Sequence, residues 1–168
     1  PTLMAMEIGA LDELSRGRAI LGIGSGVPTW IGKITSHERL LSAVRDAVHI
    51  TRSLLSGQEV NYQGKMFSAE NVHLEFPLWR ENIPVHVAAM GEKMLQLCGE
   101  LGDGLLIGNM CPPSFTGNAI ELMKKGAARA ARSMPAEITK YLPCSVGSDS
   151  REAQDVALNA IGQTLGAF

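Results

Sequence analysis

The second half of the chain alternates short apolar runs with helical patterns, and this alternation constrains the fold more than any other feature. The apolar runs predict strands over residues 84–89, 105–107 and 138–146. The helical patterns cover residues 92–101 and 114–133, and Asp149 and Glu152 have the spacing that caps a last helix. The apolar stripe of that last helix is Val156, Ala157, Ala160 and Ile161. Strand–helix–strand units with short links predict right-handed crossovers and a parallel sheet.

The first half of the chain begins with a helical pattern over residues 2–15, whose apolar stripe is Met4, Ile8, Leu11 and Leu14. Residues 19–23 form a strand without polar alternation, which is typical of strands buried on both faces. Thr35 and Glu38 have capping-box spacing at the start of a helix that ends near Gly57. Residues 59–76 then alternate with period two, which predicts a small hairpin outside the core.

Length and charge narrow the function classes. The 168 residues, 18 of them glycine, suit one domain with its own hydrophobic core. A net charge of −2, with no basic cluster beyond Lys124-Lys125, argues against nucleic-acid binding, and no apolar run is long enough to predict a membrane span. Three widely spaced cysteines form no zinc pattern and favour a reduced, cytoplasmic protein. We expect Cys98, on a helix stripe, to be buried, and Cys111, in a loop, to be the most reactive thiol.

The glycine cluster after the first strand departs from the dinucleotide-binding fingerprint. That fingerprint is G-x-G-x-x-G, so after Gly22 and Gly24 it would need a glycine at position 27, where Val27 stands. In addition, no helix begins directly after the cluster. Because glycine lacks a Cβ atom, the cluster can instead let a ligand lie close against the strand end. A plain strand-to-loop turn remains the alternative.

The segment Ala88-Ala89-Met90-Gly91 lies between the end of a predicted strand and the start of a helix. The first amides of a helix lack partners within the helix and point along its positive dipole end, which favours an anion such as a phosphate. Small side chains there leave the approach open. Tight packing of the strand against the helix is the alternative explanation.

Other polar residues give weaker signals. Asp103 precedes a predicted strand, at the end where residues of parallel α/β folds serve stability, and we interpret it as structural. His86 lies within a strand and is interpreted as a packed histidine rather than a base. His37, His49 and His73 have no metal-ligand spacing, and no nucleophile–base arrangement can be identified.

Two stretches and their order resemble the bacterial-luciferase-like superfamily. The first is LDELSRGR at residues 11–18 with LGIGSG at 21–26. The second is PVHVAAMG at 84–91, followed by KML at 93–95 and GDG at 102–104. The second stretch is similar to the deazaflavin-using branch of the superfamily, and within it to the methylenetetrahydromethanopterin reductases. The resemblance covers nearly the whole chain.

The resemblance implies a partial TIM (β/α)8 barrel, luciferase-like, in which residues 1–168 form a single domain that lacks the first three strands and the last strand. Length alone would favour an open doubly wound sheet, since a closed barrel takes about 250 residues. The resemblance further implies an oxidoreductase that uses coenzyme F420, a deazaflavin, for hydride transfer. The residues that it places at the cofactor are Gly24, Ser25, Gly26, Ala88, Ala89, Met90 and Gly91. The alternatives are an FMN-dependent luciferase-like monooxygenase and a flavin-binding protein without turnover.

Two residues depart from the family pattern. Val27 stands where several relatives carry an acidic residue, so a proton-donating carboxylate is missing and a sugar-phosphate dehydrogenase activity is disfavoured. Trp30 replaces a polar residue and indicates a differently shaped substrate pocket. The expected partner is a small-molecule substrate, without nucleic acid or membrane, and we expect a homo-oligomer when the protein is full length.

Overall fold

The computed structural model describes residues 1–26 and 39–166. Within them the chain forms five helices and six strands. The helices are α1 (Thr2–Ser15), α2 (Leu40–Leu55), α3 (Glu92–Leu101), α4 (Pro113–Arg129) and α5 (Ser150–Gly166). The strands are β1 (Leu21–Gly24), β2 (Val60–Gln63), β3 (Ser68–Val72), β4 (Val85–Ala88), β5 (Gly104–Ile107) and β6 (Glu137–Lys140).

Four of the strands form one parallel sheet in the order β1-β4-β5-β6. The connections β4–α3–β5 and β5–α4–β6 are the predicted strand–helix–strand units, so the parallel sheet is confirmed. β2 and β3 pair antiparallel as a separate two-stranded hairpin, as the period-two pattern predicts. Consecutive parallel strands with helices packed on the outer face are the architecture of a partial TIM barrel.

The main core lies between the sheet and the helices α3 and α4. Val85, Val87, Leu105 and Ile107 are all 0% exposed and belong to one apolar cluster with Leu95, Cys98 and Met123 of these helices. Because side chains alternate along a strand, the other residues of β4 and β5 point to the opposite, inner face of the sheet. The inner face carries His86, Ala88, Gly104 and Leu106, and Gly22 and Gly24 of β1, which pair with His86 and Ala88, share it.

The buried face of α1 differs from the predicted stripe. Ala5, Ile8 and Gly9 are buried, whereas Leu11 and Leu14 are 53% and 82% exposed. Ala5 and Ile8 pack in a second core cluster with Ile50 and Leu54 of α2 and neighbouring residues. Gly9 permits a close approach, since a Cβ atom there would lie 2.9 Å from a methyl carbon of Leu78. The small residues of α1, rather than its leucines, therefore set its packing face.

The third predicted strand is shorter than expected. β6 ends at Lys140, and Tyr141 makes the last ladder bond, from its amide to the Ile107 carbonyl oxygen at 3.1 Å. β5 ends at Ile107, so the sheet has no strand with which residues 142–146 could continue the pairing. The prediction of a strand over 138–146 is wrong beyond Lys140 for this reason.

Helix α5 begins at the predicted cap. Asp149 Oδ1 accepts hydrogen bonds from the amides of Arg151 at 2.7 Å and Glu152 at 3.3 Å, which satisfies two first-turn donors. The predicted inward stripe is only partly right, because Val156 is 55% exposed while Ala157 and Ile161 are half-buried. No helix within the described ranges combines the length and apolar character that crossing a bilayer requires.

Asp46 of α2 attaches the hairpin to the helix. Its carboxylate is 2% exposed and accepts hydrogen bonds from the Tyr62 hydroxyl at 2.9 Å and from the amides of Met66 and Phe67 at 2.6 and 3.1 Å. Burial by itself would raise the pKa of Asp46, but these hydrogen bonds outweigh it and hold the pKa below its usual value. The ionised carboxylate is therefore the form that the fold stabilises.

We expect hydrogen exchange at the Met66 and Phe67 amides to accelerate in acid. Because the folded pKa of Asp46 is depressed, its stabilisation is complete above the unfolded value of about 3.9 and is lost as the pH falls through the folded pKa. After correction for intrinsic exchange, protection should be constant from neutral pH down to about pH 5 and then fall. In an Asp46→Asn variant, protection of the two amides should be low at every pH and should no longer fall in acid. If protection in that variant still fell below about pH 5 as in the unmodified protein, other carboxylates would be responsible.

The cysteine predictions have mixed outcomes. Cys98 is 0% exposed, as expected, and burial raises the pKa of its thiol to about 12. Cys111 is also buried, at 7% exposed, because its loop folds onto the main core, and this burial contradicts the prediction that it is the most reactive thiol. Cys144 is exposed. Iodoacetamide followed by peptide mass mapping should therefore label Cys144 first in the native protein, with Cys98 and Cys111 protected until unfolding; equal native labelling of Cys111 and Cys144 would contradict this placement.

Candidate functional site

The carboxyl ends of β1, β4 and β5 border one open cavity of about 790 Å³. All seven residues proposed from the resemblance line it, namely Gly24, Ser25, Gly26, Ala88, Ala89, Met90 and Gly91. They come from two neighbouring strands whose ends lie side by side, since Gly24 and Ala88 are register partners. Ligand sites of parallel α/β folds lie at this end of the strands.

The floor of the cavity depends on small residues. A Cβ atom at Gly24 would lie 2.9 Å from the Ala88 Cβ, and one at Gly22 would lie 2.8 Å from a methyl carbon of Leu106. The missing Cβ atoms let β1 lie close to Ala88 and Leu106, two apolar residues that line the cavity. Close packing of β1 on β4 is therefore enough to require glycine at position 24, and the plain turn stands beside the ligand role as an explanation.

The amino end of α3 opens into the same cavity. Gly91 is the N-cap residue, and its carbonyl oxygen accepts hydrogen bonds from the amides of Met94 at 3.0 Å and Leu95 at 2.9 Å. No side chain caps this end, and within the described residues the amides of Glu92 and Lys93 donate to no acceptor. A Cβ atom at Gly91 would contact nothing within 4 Å. Free amides, open space and the positive end of the helix dipole together make a seat for an anion.

The two charged residues at this helix end have different surroundings. Glu92 lines the cavity, and its Oε1 accepts a hydrogen bond from Gln96 Nε2 at 3.1 Å, one turn further along α3. Lys93 lines the cavity and adds positive charge at its edge. The Glu92 carboxylate therefore offsets part of the positive charge that Lys93 and the amino end of α3 bring to the cavity edge.

The sequence analysis did not identify several lining residues. Gly108 comes directly after β5, just as Gly24 and Ala88 end β1 and β4. Small residues at the end of a strand mark a possible ligand site, and the same criterion applied to β5 identifies Gly108. Leu40, Leu41, Met94 and Leu106 also line the cavity, and their sequence pattern does not reveal it, because apolar periodicity does not distinguish a core face from a cavity wall. Val27, Trp30, Thr35 and Glu38 lie outside the described residues.

The remaining polar candidates lie at the other end of the strands. Asp103 accepts hydrogen bonds from Arg52 Nη2 at 2.8 Å and from the Val85 amide at 2.9 Å. Burial would raise the pKa of Asp103, but the hydrogen bonds from Arg52 and Val85 outweigh it and lower the pKa. These contacts join α2 to the start of β4, which is a structural role. His86 is 2% exposed and packs on the inner face of the sheet.

The chemistry available at the cavity follows from this inventory. Its walls are mostly apolar, its edge carries the amino end of α3 with Glu92 and Lys93, and its described lining residues include no histidine, cysteine or aspartate. Among residues 1–26 and 39–166, no three His, Cys, Asp or Glu side chains are grouped so as to hold a metal ion. The arrangement suits a flat organic ligand with an anionic tail.

Comparison with protein families and curated proteins gives a consistent result. The family model described as luciferase-like monooxygenase matches residues 1–166. A 5,10-methylenetetrahydromethanopterin reductase from Archaeoglobus fulgidus is 39% identical over 159 residues, covering 94% of this chain. The match covers 47% of that relative, so the chain spans about half the length of the curated relatives it matches.

Solved structures show the same fold. The coenzyme F420 dependent tetrahydromethanopterin reductase from Methanopyrus kandleri aligns with a TM-score of 0.79 at 26% identity, over 92% of this chain and 49% of that one. A monooxygenase from Streptomyces bottropensis aligns with a TM-score of 0.76 at 20% identity, over 95% of this chain and 50% of that one. The second likeness supports the fold alone.

Proposed function

This chain belongs to the luciferase-like monooxygenase family, and from that premise we propose that it forms the cofactor-binding part of an oxidoreductase that uses coenzyme F420 for hydride transfer. The similarity to a methylenetetrahydromethanopterin reductase and to an F420 dependent reductase structure supports this choice of cofactor. The expected substrate is a small molecule. A cytoplasmic location and a homo-oligomer are part of the same proposal.

One observation supports the proposal above the others. Residues from two distant stretches of the chain, 24–26 and 88–91, meet around one cavity that also receives the amino end of a helix. The family resemblance implies that both stretches bind one cofactor, and this expectation comes from the sequence and not from the distance between them in the structure. Their convergence fits a ligand that has a flat ring at one end and a phosphate at the other.

The residues divide the binding task. Gly24, Ala88 and Leu106 provide the flat apolar surface for a ring, while the amides of Glu92 and Lys93 with the Lys93 ammonium receive a phosphate group. When bound, the deazaflavin supplies the hydride chemistry. The chain itself binds and orients the ring, and its apolar wall residues Leu40, Leu41 and Met94 exclude water from that face.

A Gly91→Glu substitution is expected to weaken coenzyme F420 binding at least about tenfold, or about 1.4 kcal/mol. The new carboxylate would lie where the phosphate is proposed to sit. The melting temperature without cofactor should change little, because the position is open and has an ordinary extended conformation (φ −81°, ψ 149°). Binding is measured by fluorescence titration of the protein expressed from its complete reading frame.

Two control variants separate charge from bulk. Gly91→Gln adds nearly the same volume without charge, and Gly91→Ala adds only a Cβ atom into open space. The proposal requires the order Ala, Gln, Glu for increasing loss of affinity. Equal affinity in all three variants would show that the Gly91 turn serves packing only, and the phosphate seat would be withdrawn.

The alternative functions predict other outcomes of the same titration. An FMN-dependent monooxygenase would bind FMN in preference to the deazaflavin, and the two complexes differ in absorbance. A binding protein without turnover would bind the cofactor but show no cofactor oxidation or reduction in steady-state assays with candidate substrates. FMN is included in the titration because the matching family model is described as a luciferase-like monooxygenase.

A further inference from the structure

A second cavity, of about 460 Å³, lies at the opposite, amino-terminal end of the strands. We call it the basal cavity. Its lining comes from the end of α2, the segment before β4, and the starts of β4, β5 and β6. The titratable lining residues are Arg52, Glu81, His86, Asp103 and Glu137. The proposed cofactor site does not include any of them, so an inference about this cavity is independent of that proposal.

His86 is placed in the basal cavity by the register of the sheet. His86 pairs with Gly104, and Gly104 pairs in turn with Glu137, so the three residues form one row across β4, β5 and β6. A Cβ atom at Gly104 would lie 2.5 Å from His86 Nε2. The imidazole ring therefore lies across the glycine and reaches the side chain of the second strand over. Its Nε2 atom is 3.1 Å from Glu137 Oε2.

The Nε2 atom of His86 is nevertheless unpartnered. The side chain is 98% buried, yet within the described residues Nε2 makes no hydrogen bond, although the Glu137 carboxylate lies within ion-pairing distance. Buried polar atoms in folded proteins are nearly always satisfied, so an unsatisfied one that borders a cavity points to a missing partner. A group with several N–H donors could serve Nε2 and the adjacent carboxylate together.

The charges around the basal cavity select among possible occupants. The Arg52 guanidinium is committed to Asp103, at 3.2 and 2.8 Å, and to the Leu101 carbonyl oxygen at 2.8 Å. Glu81 and Glu137 have no Lys or Arg partner among the described residues. Two further carboxylates thus face a cavity in which Arg52, the one lysine or arginine among its described lining residues, is already paired. This excess of negative charge disfavours anions, and no metal-binding group of three ligands exists in the described ranges.

We propose that the basal cavity binds a small organic cation through an N–H-bearing ammonium or guanidinium group that lies in the cavity beside His86 Nε2 and the Glu137 carboxylate. Such a group donates to both acceptors at once and neutralises one of the unpaired carboxylates. A binding site at this end of the strands would be separate from the chemistry at the carboxyl ends. It therefore suits a ligand that stabilises or regulates the protein rather than a substrate.

The test titrates n-butylammonium chloride into the protein expressed from its complete reading frame, observed through the imidazole nitrogen resonances of His86 by NMR. The expected result is a saturable shift of the Nε2 resonance, with millimolar affinity for so small a probe. Tetramethylammonium chloride has the charge without N–H donors, and sodium butyrate has the opposite charge. Both should give at least tenfold weaker responses.

Variants locate the effect. Glu137→Gln, at a side chain 64% exposed, should keep the fold and weaken n-butylammonium binding at least tenfold. The matched control is Glu121→Gln on α4, which is equally exposed and lies outside the cavity, and it should bind as the unmodified protein does. Absence of saturation, an equal response to tetramethylammonium, or unchanged affinity in Glu137→Gln would each overturn the proposal and leave water as the partner of His86.

Discussion

Replacing Asp12 by alanine is expected to lower the free energy of unfolding by about 3–5 kcal/mol, the usual effect of removing one partner of a buried ion pair. The Asp12 carboxylate is 0% exposed. Its Oδ1 accepts hydrogen bonds from the Ala19 amide at 3.0 Å and Arg80 Nη2 at 2.9 Å, and its Oδ2 from Arg80 Nε at 3.0 Å. The variant would leave these donors without an acceptor.

The arrangement explains why the loss should be large. Arg80 also donates to the Ala19 carbonyl oxygen at 2.6 Å, so Asp12 and Arg80 together fix the turn between α1 and β1. Without the carboxylate, the guanidinium stays partly buried beside an unpaired amide. Urea unfolding followed by circular dichroism measures the loss. Glu13→Ala, at the neighbouring exposed position, should change stability by less than about 0.5 kcal/mol; similar losses in both variants would contradict the role of Asp12.

Gly126→Ala is expected to destabilise the protein by about 1–3 kcal/mol or more, although alanine normally favours a helix over glycine by about 1 kcal/mol. A Cβ atom at Gly126 of α4 would lie 1.9 Å from the Gln96 carbonyl oxygen of α3. A Cβ atom at Gly99 of α3 would likewise lie 2.0 Å from the Met123 carbonyl oxygen of α4. The two helices therefore touch through reciprocal glycines, and an added methyl group must separate them.

The same helix offers a control of opposite sign. Gly117 also belongs to α4, and a Cβ atom there would contact nothing within 4 Å. Gly117→Ala should therefore stabilise the protein by about 0.5–1 kcal/mol. Thermal unfolding of the two variants measures the contrast. If Gly126→Ala were as stable as Gly117→Ala, the close contact between α3 and α4 would be wrong.

The order of elements could be predicted because period and capping signals are local. Helix α3 begins and ends at the residues that its pattern predicts, and Asp149 caps α5 as expected. Packing partners are not local, which explains the errors. Leu11 and Leu14 fit a helical stripe but face away from α2, and Cys111 follows a strand yet folds onto the core.

The sequence predicts the small residues of the candidate site but not the larger apolar residues that line its walls. Glycines and alanines at strand ends mark positions where a ligand can approach, so Gly24 and Ala88 could be identified from their place in the pattern. Leu40 and Leu41 carry no such mark. The row formed by His86, Gly104 and Glu137 depends on strand register, which no local pattern specifies. The cofactor roles of the seven residues remain a prediction.

The central claim is that the cavity at the carboxyl ends of β1, β4 and β5 binds a deazaflavin. Its most direct test is a fluorescence titration of coenzyme F420 into the purified protein expressed from its complete reading frame, with FMN titrated in parallel. The expected result is saturable binding of coenzyme F420 in the micromolar range or tighter, with FMN at least about tenfold weaker, a difference of about 1.4 kcal/mol. Tight binding of FMN with no saturable binding of coenzyme F420 would contradict it.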